Sequence, residues 1–470
     1  MADLRKKKPN IVCIMSDDQG IWSLGCYGNK EIQTPNLDRL AETGVKFNEF
    51  FCTSPVCSPA RASILTGKIP SQHGVHDWIA GGNVEHPIEY LEEHVAYTEI
   101  LAENDYVCGL SGKWHLGDSL KPQKGFSHWY VHQAGGGPYY DAPMVRDGTC
   151  MNEPSYLTEA ITNDALQFLD DQTRNERPFY LGIHYTAPHD PWLNSHPEEF
   201  VQLYDDCAFE TCPQNERQKW FSSTMNIGDD WREHAKGYYA AITAMDQQIG
   251  RVLDALEEKG VREDTVIIFM SDNGFSCGQH GFWGKGNGTF PLNMYDYSVK
   301  VPLIISQPGR ITEGRSCDAL LSGYDFMPTL LDYVGLDTYK HGTDLPGKSF
   351  APLLAEESHV SENNAVVIYD EYGPVRMIRT KEWKYIHRYP YGPHELYHLT
   401  NDPLERINLI ESPHHKAVWK ELKYQLSNWF HEYVDTKVDG TKESVVGTGQ
   451  INLAGLKNSG ENAYYGRSDN

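Results

Sequence analysis

Cys57 opens the segment Cys57-Ser58-Pro59-Ala60-Arg61, whose residue types and spacing fit the handling of an anion. A helix is expected over Pro59–Leu65, which puts the Cys57 side chain near a helix N-terminus. Backbone N–H groups and the helix dipole favour negative charge there. Arg61, one turn further on, reaches the same face and can hold that charge by charge-assisted hydrogen bonds. A cysteine on its own reads as a small buried hydrophobe beside a surface arginine, so only the whole pattern carries a chemical reading. A second set comprises Asp17, Asp18, Asp272 and Asn273. Three carboxylates and one amide make an oxygen-only site for a hard divalent cation, Ca2+ or Mg2+. Each of them singly is also an ordinary turn or cap residue.

These residues need elements to hold them. Asn10–Met15 and Val266–Met270 are short apolar, β-branched runs that end abruptly in Ser16-Asp17-Asp18 and Ser271-Asp272-Asn273-Gly274. Both read as buried strands with acidic carboxyl ends. Sites in open α/β sheets form outside those ends, where the two acidic clusters can meet. Thr34–Thr43 reads as a helix with a capping Thr and Pro in the first helical position, and Gly44 stops it. Tyr238–Lys259 has apolar residues at helical spacing and leads into the Val266 strand, while Phe179–Tyr185 and Val301–Ile305 are further strands. This alternation predicts an α/β fold, a large, mostly parallel sheet sandwiched by helices. After Leu353 the pattern changes to short alternating strands at Val366–Tyr369, Val375–Thr380 and Trp383–His387, then a helix near Lys416–Tyr433. The expected organisation is a catalytic α/β domain over 1–355, a C-terminal subdomain with an antiparallel sheet and a helix over 356–440, and an extended tail over 441–470.

The stretch C-x-P-x-R followed by Leu65-Thr66-Gly67 resembles the modification motif of the type I, formylglycine-dependent sulfatases of the alkaline phosphatase superfamily. In that family a maturation enzyme oxidises the cysteine to formylglycine, and Lys68 here stands where many members have Arg. The resemblance extends to Gly112-Lys113-Trp114-His115-Leu116-Gly117, which is similar to the family's GKWHLG segment and implies site roles for Lys113 and His115. His184-Tyr185-Thr186-Ala187-Pro188-His189-Asp190-Pro191 resembles its H-x-P-H-x-P region with one extra residue between the histidines, so His189 is carried over and His184 is the weaker candidate. Gly284-Lys285-Gly286 gives Lys285. Gly286–Ser298 is longer than the compact stretch of many members, and it is similar to carbohydrate-directed branches. Later landmarks extend the likeness to about residue 435, with insertions around Leu193–Arg232.

The resemblance implies an alkaline-phosphatase-like fold and hydrolysis of a sulfate monoester, with Ca2+ or Mg2+ on Asp17, Asp18, Asp272, Asn273 and the modified Cys57. Arg61, Lys113 and Lys285 would hold the sulfuryl oxygens. His189 would protonate the departing alcohol, and His115 would take a proton from the second geminal hydroxyl. Trp78, His86, His128, Trp129 and Trp192 lie in loops after motif segments, as sugar-stacking candidates or as ordinary core residues. The expected substrate is a small-molecule or oligosaccharide sulfate ester, with a sulfated sugar preferred over a simple aryl sulfate. The rivals are a phosphonate monoester hydrolase or phosphodiesterase of the same superfamily, and an inactive sulfated-glycan-binding protein.

Composition bounds the partners. A formal net charge of −24 over 470 residues argues against nucleic acid, and it leaves room for a local basic pocket because exposed charges are screened beyond about 10 Å. No apolar run is long enough for a membrane span. Met1–Asn10 is basic with no apolar segment behind it beyond IVCIM, so a cytoplasmic location is expected, or a secreted or periplasmic one if a leader has been cut away. The ten cysteines form no CxxC pair, and Cys207 and Cys212, close enough in sequence for a disulfide, are read as free thiols in preference to a bridge. The tail after Asp439 could reach a second subunit of a homo-oligomer.

Overall fold

Two apolar strands, Asn10–Ser16 and Thr265–Ser271, lie side by side and parallel, with Asn10 opposite Thr265 and Ser16 opposite Ser271. Every residue of both is buried. This register alone brings Asp17 and Asp272 to the same end of the sheet as neighbours. The computed structural model describes residues 8–175, 177–217, 219–222, 227, 230–336, 345–355, 367–455 and 461–466.

Phe179–His184 pairs with the other side of Asn10–Ser16, then Val107–Gly112 and His128–His132 follow, all parallel. Antiparallel strands flank this parallel centre. Lys300–Ser306 lies beside Thr265–Ser271, with Val45–Phe51 beyond it, and Ala142–Arg146 and Thr149–Glu153 close the other side. Among the described residues the sheet has eleven strands, so it is mixed, with a parallel core.

Side chains alternate across the sheet, and the two faces take different helices. Ile11, Cys13, Met15, Val266, Ile268 and Met270 pack with Ala60, Ile64, Leu101 and Phe326, on the side of the helices Cys57–Thr66, Tyr97–Glu103 and Phe326–Tyr333. Val12, Ile14, Leu181, Ile183 and Ile267 pack with Leu37, Ile161, Phe168, Ile242 and Ile249, from Pro35–Glu42, Leu157–Gln172 and Trp231–Glu258. The last of these helices starts at Trp231 and not near Tyr238, because Trp231 and Ala235 extend its apolar face onto the same core. Thr34 caps the first without a side-chain bond to its backbone.

A second sheet, antiparallel, runs Ile368–Tyr372, Val375–Arg379, Trp383–Arg388, Glu395–His398. The helix Lys416–Tyr433 covers it through Leu422, Leu426 and Phe430 on Ile378, Tyr385 and Leu396. The boundary expected near residue 356 lies outside the described residues, as does Val366. The segment after Asp439 folds back along the chain's own loop at 74–80, where Gln450 bridges Ile79 in parallel and Tyr464 in antiparallel fashion. All ten cysteines, Cys207 and Cys212 included, are unpaired, and no described helix is long and apolar enough to cross a membrane.

Candidate active site

The helix following Val56 begins at Cys57 itself, two residues before the expected start, and all of Cys57–Thr66 is buried. Cys57 therefore points its sulfur from the first turn into the space beyond the two acidic strand ends. Sγ lies 3.2 Å from Asp17 Oδ1 and 3.8 Å from Asp18 Oδ1, and Lys285 Nζ lies 2.8 Å from it. Burial, then the Asp17 carboxylate, push the thiol well above its usual range, with Lys113 and Lys285 acting the other way. A cysteine kept as the thiol is a poor nucleophile.

Asp17, Asp18 and Asp272 are fully buried and each offers an oxygen within 4.8 Å of the others. Asp18 adopts a left-handed backbone (φ 64°), which turns its carboxylate back toward Asp272. Asp272 Oδ1 accepts the N–H of Asp18 at 3.2 Å and that of Asn273 at 2.7 Å. Asn273 donates Nδ2–H to Asp18 Oδ1 at 2.7 Å. Two buried oxygens accept no hydrogen bond, Asp18 Oδ2 and Asn273 Oδ1. A buried oxygen without a donor is costly, and a hard cation satisfies several at once. The donor set thus fits Ca2+ or Mg2+.

Three cations surround this cluster. Arg61 donates Nε–H to Asp272 Oδ2 at 2.8 Å and Nη1–H to the Lys113 carbonyl at 3.1 Å, leaving buried Nη2 without an acceptor. Lys113 pairs with Asp17 Oδ2, and Lys285 with Asp18 Oδ1. Burial alone would raise the Asp17 pKa, but Lys113, His189, Arg61 and Lys285 hold it well below the usual range. Burial, then Asp17, push Asp272 up to about 6. Burial pulls Lys285 down, and its anionic neighbours, Asp18 first, hold it well above the usual lysine range.

The two histidines sit in different electrostatic surroundings. His115, in a left-handed conformation (φ 55°), donates Nε2–H to the Ile79 carbonyl at 3.0 Å. A carbonyl only accepts, so the proton is on Nε2 and Nδ1, which has no partner, is a bare acceptor. Burial, then Lys113, hold its pKa well below the ordinary value. His189 donates Nδ1–H to the Asp190 carbonyl at 2.8 Å and sets Nε2 3.7 Å from Asp18 Oδ2. Against burial, Asp190, Asp18 and Asp17 hold its pKa above the ordinary value. His184 stays behind the site: its Nδ1 meets the Lys113 carbonyl at 3.3 Å. Gly112 permits that approach, because a Cβ there would lie 1.9 Å from the His184 carbonyl oxygen. Trp114 is packed against Trp129 and Phe126, and it anchors the loop that presents Lys113 and His115.

A cavity of about 590 Å³ opens over Cys57, His115, His189 and Lys285. Of the five sugar-stacking candidates only Trp78 lines it. Trp129 and Trp192 are core residues, 1% and 4% exposed. His128 bonds Asp164 at 2.8 Å, and His86 is exposed away from the cavity. The long loop does contribute, through Asn287 and Gly288. Sequence reasoning missed the roof, Ala134–Gly137. A Cβ on Gly135 would fall 2.2 Å from His115 Cε1, and one on Gly136 3.1 Å from the His189 ring. The three consecutive glycines after the His128–His132 strand were the available signal. It also missed Gly447 and Thr448 from the chain's last segment.

The Sulfatase family model matches residues 9–336, and that of the N-sulphoglucosamine sulphohydrolase C-terminal region matches 278–432. The chain is similar to an N-acetylglucosamine-6-O-sulfatase of Bacteroides thetaiotaomicron, 28% identical over 95% of this chain and 90% of that one. It is 30% identical to the uncharacterized sulfatase YidJ of Escherichia coli, over 86% of this chain and 84% of that one. A protein solved in complex with its substrate D-glucosamine-2-N,6-O-disulfate superimposes with a TM-score of 0.79 at 26% identity, over 93% of this chain and 100% of that one. The phosphonate monoester hydrolase of Agrobacterium radiobacter shares the fold, with a TM-score of 0.67 at 22% identity, over 91% and 96% of the two chains. The chain belongs to the sulfatase family and is a sulfuric ester hydrolase.

Proposed function

We propose that this enzyme hydrolyses a sulfate monoester of a carbohydrate, using a formylglycine made from Cys57 by a maturation enzyme and a divalent cation, Ca2+ or Mg2+, held by Asp17, Asp18, Asp272, Asn273 and residue 57. The observation that carries the mechanism is the contact set of Cys57: a hindered thiol at a helix start, between a carboxylate cluster and the Lys285 ammonium. The names and ligands of the relatives support a sulfated sugar as substrate.

A formylglycine at 57 supplies a hydrated aldehyde with a hydroxyl for attack on sulfur, and a hard cation beside it supplies Lewis acidity that eases loss of that hydroxyl's proton. The chain's own residues do the rest. Three buried cations face three buried carboxylates, so the site is close to neutral by itself, and with a divalent cation it gains the positive charge that an anionic ester needs. Lys113, Lys285 and the unused Nη2 of Arg61 are the donors for sulfuryl oxygens. His189, whose pKa Asp190 and Asp18 hold above the ordinary imidazole value, is the donor of a proton from Nε2 to the departing alcohol oxygen. His115, held neutral, accepts a proton at Nδ1 as sulfate is released.

The test is sulfate release from sulfated mono- and disaccharides and from aryl sulfates, and alcohol release from phosphonate monoesters, assayed in parallel with the converted enzyme. Sulfated sugars should have the highest kcat/KM. Turnover of aryl sulfates alone would overturn the carbohydrate assignment, and a preference for phosphonates would overturn the sulfate assignment.

A further inference from the structure

The segment that composition marks as an unpatterned tail is built into the cavity wall. Gly447 and Thr448 line the cavity beside Trp78 and Asn287. Both family models end before this segment, at residues 336 and 432. The Gly447 carbonyl accepts from Asn287 Nδ2 at 3.2 Å and from Trp78 Nε1 at 3.4 Å, so the arm, the long loop and the indole form one surface. No Cβ fits at Gly447, which has φ 83° and would collide with Asn287 at 2.7 Å.

The arm is anchored from within. Gln450, fully buried, accepts the His76 N–H at 2.8 Å and donates to the carbonyls of Gly74 and Asn452, each at 3.0 Å. Asp77 accepts the Gly449 N–H at 3.0 Å and the Tyr372 hydroxyl at 2.6 Å, which ties the arm to the C-terminal sheet. Backbone bonds from Gln450 N to Trp78 O (2.7 Å) and from Ala80 N to Gln450 O (2.8 Å) straddle Ile79, whose carbonyl holds His115. Among the described residues, the arm's polar contacts run to the 74–80 loop, Trp78 and Asn287.

We propose that the arm, with Thr448 and Trp78 at its face, is a specificity element that recognises the sugar portion of the ester and not its sulfate. This rests on the sulfated-carbohydrate reading above. An indole face beside amide and hydroxyl groups suits a sugar ring, which offers both apolar C–H surface and hydroxyls.

Calorimetry on a Cys57→Ala parent, with sulfated mono- and disaccharides (N-acetylglucosamine 6-sulfate among them) and inorganic sulfate as probes, tests this. Thr448→Tyr fills the wall from a partly exposed position and gives up the Thr448 hydroxyl's bond to the Tyr465 carbonyl, Trp78→Ala removes the indole face, and Gln450→Ala unpins the arm. Each should weaken the best-bound sugar sulfate by about tenfold or more and leave inorganic sulfate within about twofold. Equal losses for both probes, no loss in Thr448→Tyr and Trp78→Ala, or a parent that binds sugar sulfates no better than inorganic sulfate would overturn the proposal. Failure of the catalytic reading would show separately, as absence of sulfate release by the converted enzyme.

Discussion

Lys285 places its ammonium 2.8 Å from the Cys57 sulfur while pairing with Asp18, so one side chain links the modified position to the carboxylate cluster. Lys285→Ala should lower kcat by about a hundredfold to a thousandfold, the usual effect of removing one donor to a developing oxyanion. It also leaves the Asp18 carboxylate with one cation fewer, so the melting temperature should fall in cation-free buffer. Steady-state kinetics with thermal unfolding checks both. Unchanged kcat would place Lys285 outside the reaction.

Cation removal should act on stability as well as turnover. Asp18 Oδ2 and Asn273 Oδ1 have no donor, so chelation should abolish activity and lower the melting temperature, and Ca2+ or Mg2+ should restore both. Ligand at a hundred times its Kd stabilises by about 2.7 kcal/mol. Asp272→Asn should blunt this rescue, and scanning calorimetry with and without chelator measures it.

Gly135 is required by geometry, since a Cβ would sit 2.2 Å from His115 Cε1. Gly135→Ala should therefore lower kcat by at least about tenfold through displacement of the histidine, with the fold kept. Gly148→Ala, at φ 81° and far from contact with the site histidines, controls for glycine loss as such. Circular dichroism and kinetics of the two variants separate the effects.

The pH profile should report His115. Burial and the Lys113 ammonium hold it well below the ordinary imidazole range, so it stays an acceptor as pH falls through 6.5, the value of a free imidazole. The acid limb of kcat that belongs to this base should lie below that value, and His115→Gln should remove it. An acid limb above pH 7 lost in the same variant would contradict the neutral state assigned to this histidine.

Much of the site was legible because its residues end strands or open a helix. The apolar runs Asn10–Met15 and Val266–Met270 give way at their carboxyl ends to buried polar residues, and parallel pairing then forces Asp17 and Asp272 together. Lys113, His115, His189 and Lys285 were carried by matching segments, since no periodicity locates a loop residue. The roof and the wall escaped notice for physical reasons. Gly135 matters for the side chain it lacks. Gln450 stabilises an extended arm by four polar contacts that leave no hydrophobic pattern. Trp129 and Trp192 show the converse, since an aromatic beside a motif packs into the core when neighbours such as Trp114 or Tyr238 offer ring contacts.

The central claim is that residue 57 acts as formylglycine on a sulfate ester. The most direct measurement pairs intact mass with sulfate release on the same preparations, across a series with increasing conversion of Cys57 and a Cys57→Ala control. The account predicts release in proportion to the converted fraction and none from the alanine variant. Undiminished release from fully unconverted protein, or from Cys57→Ala, would contradict it.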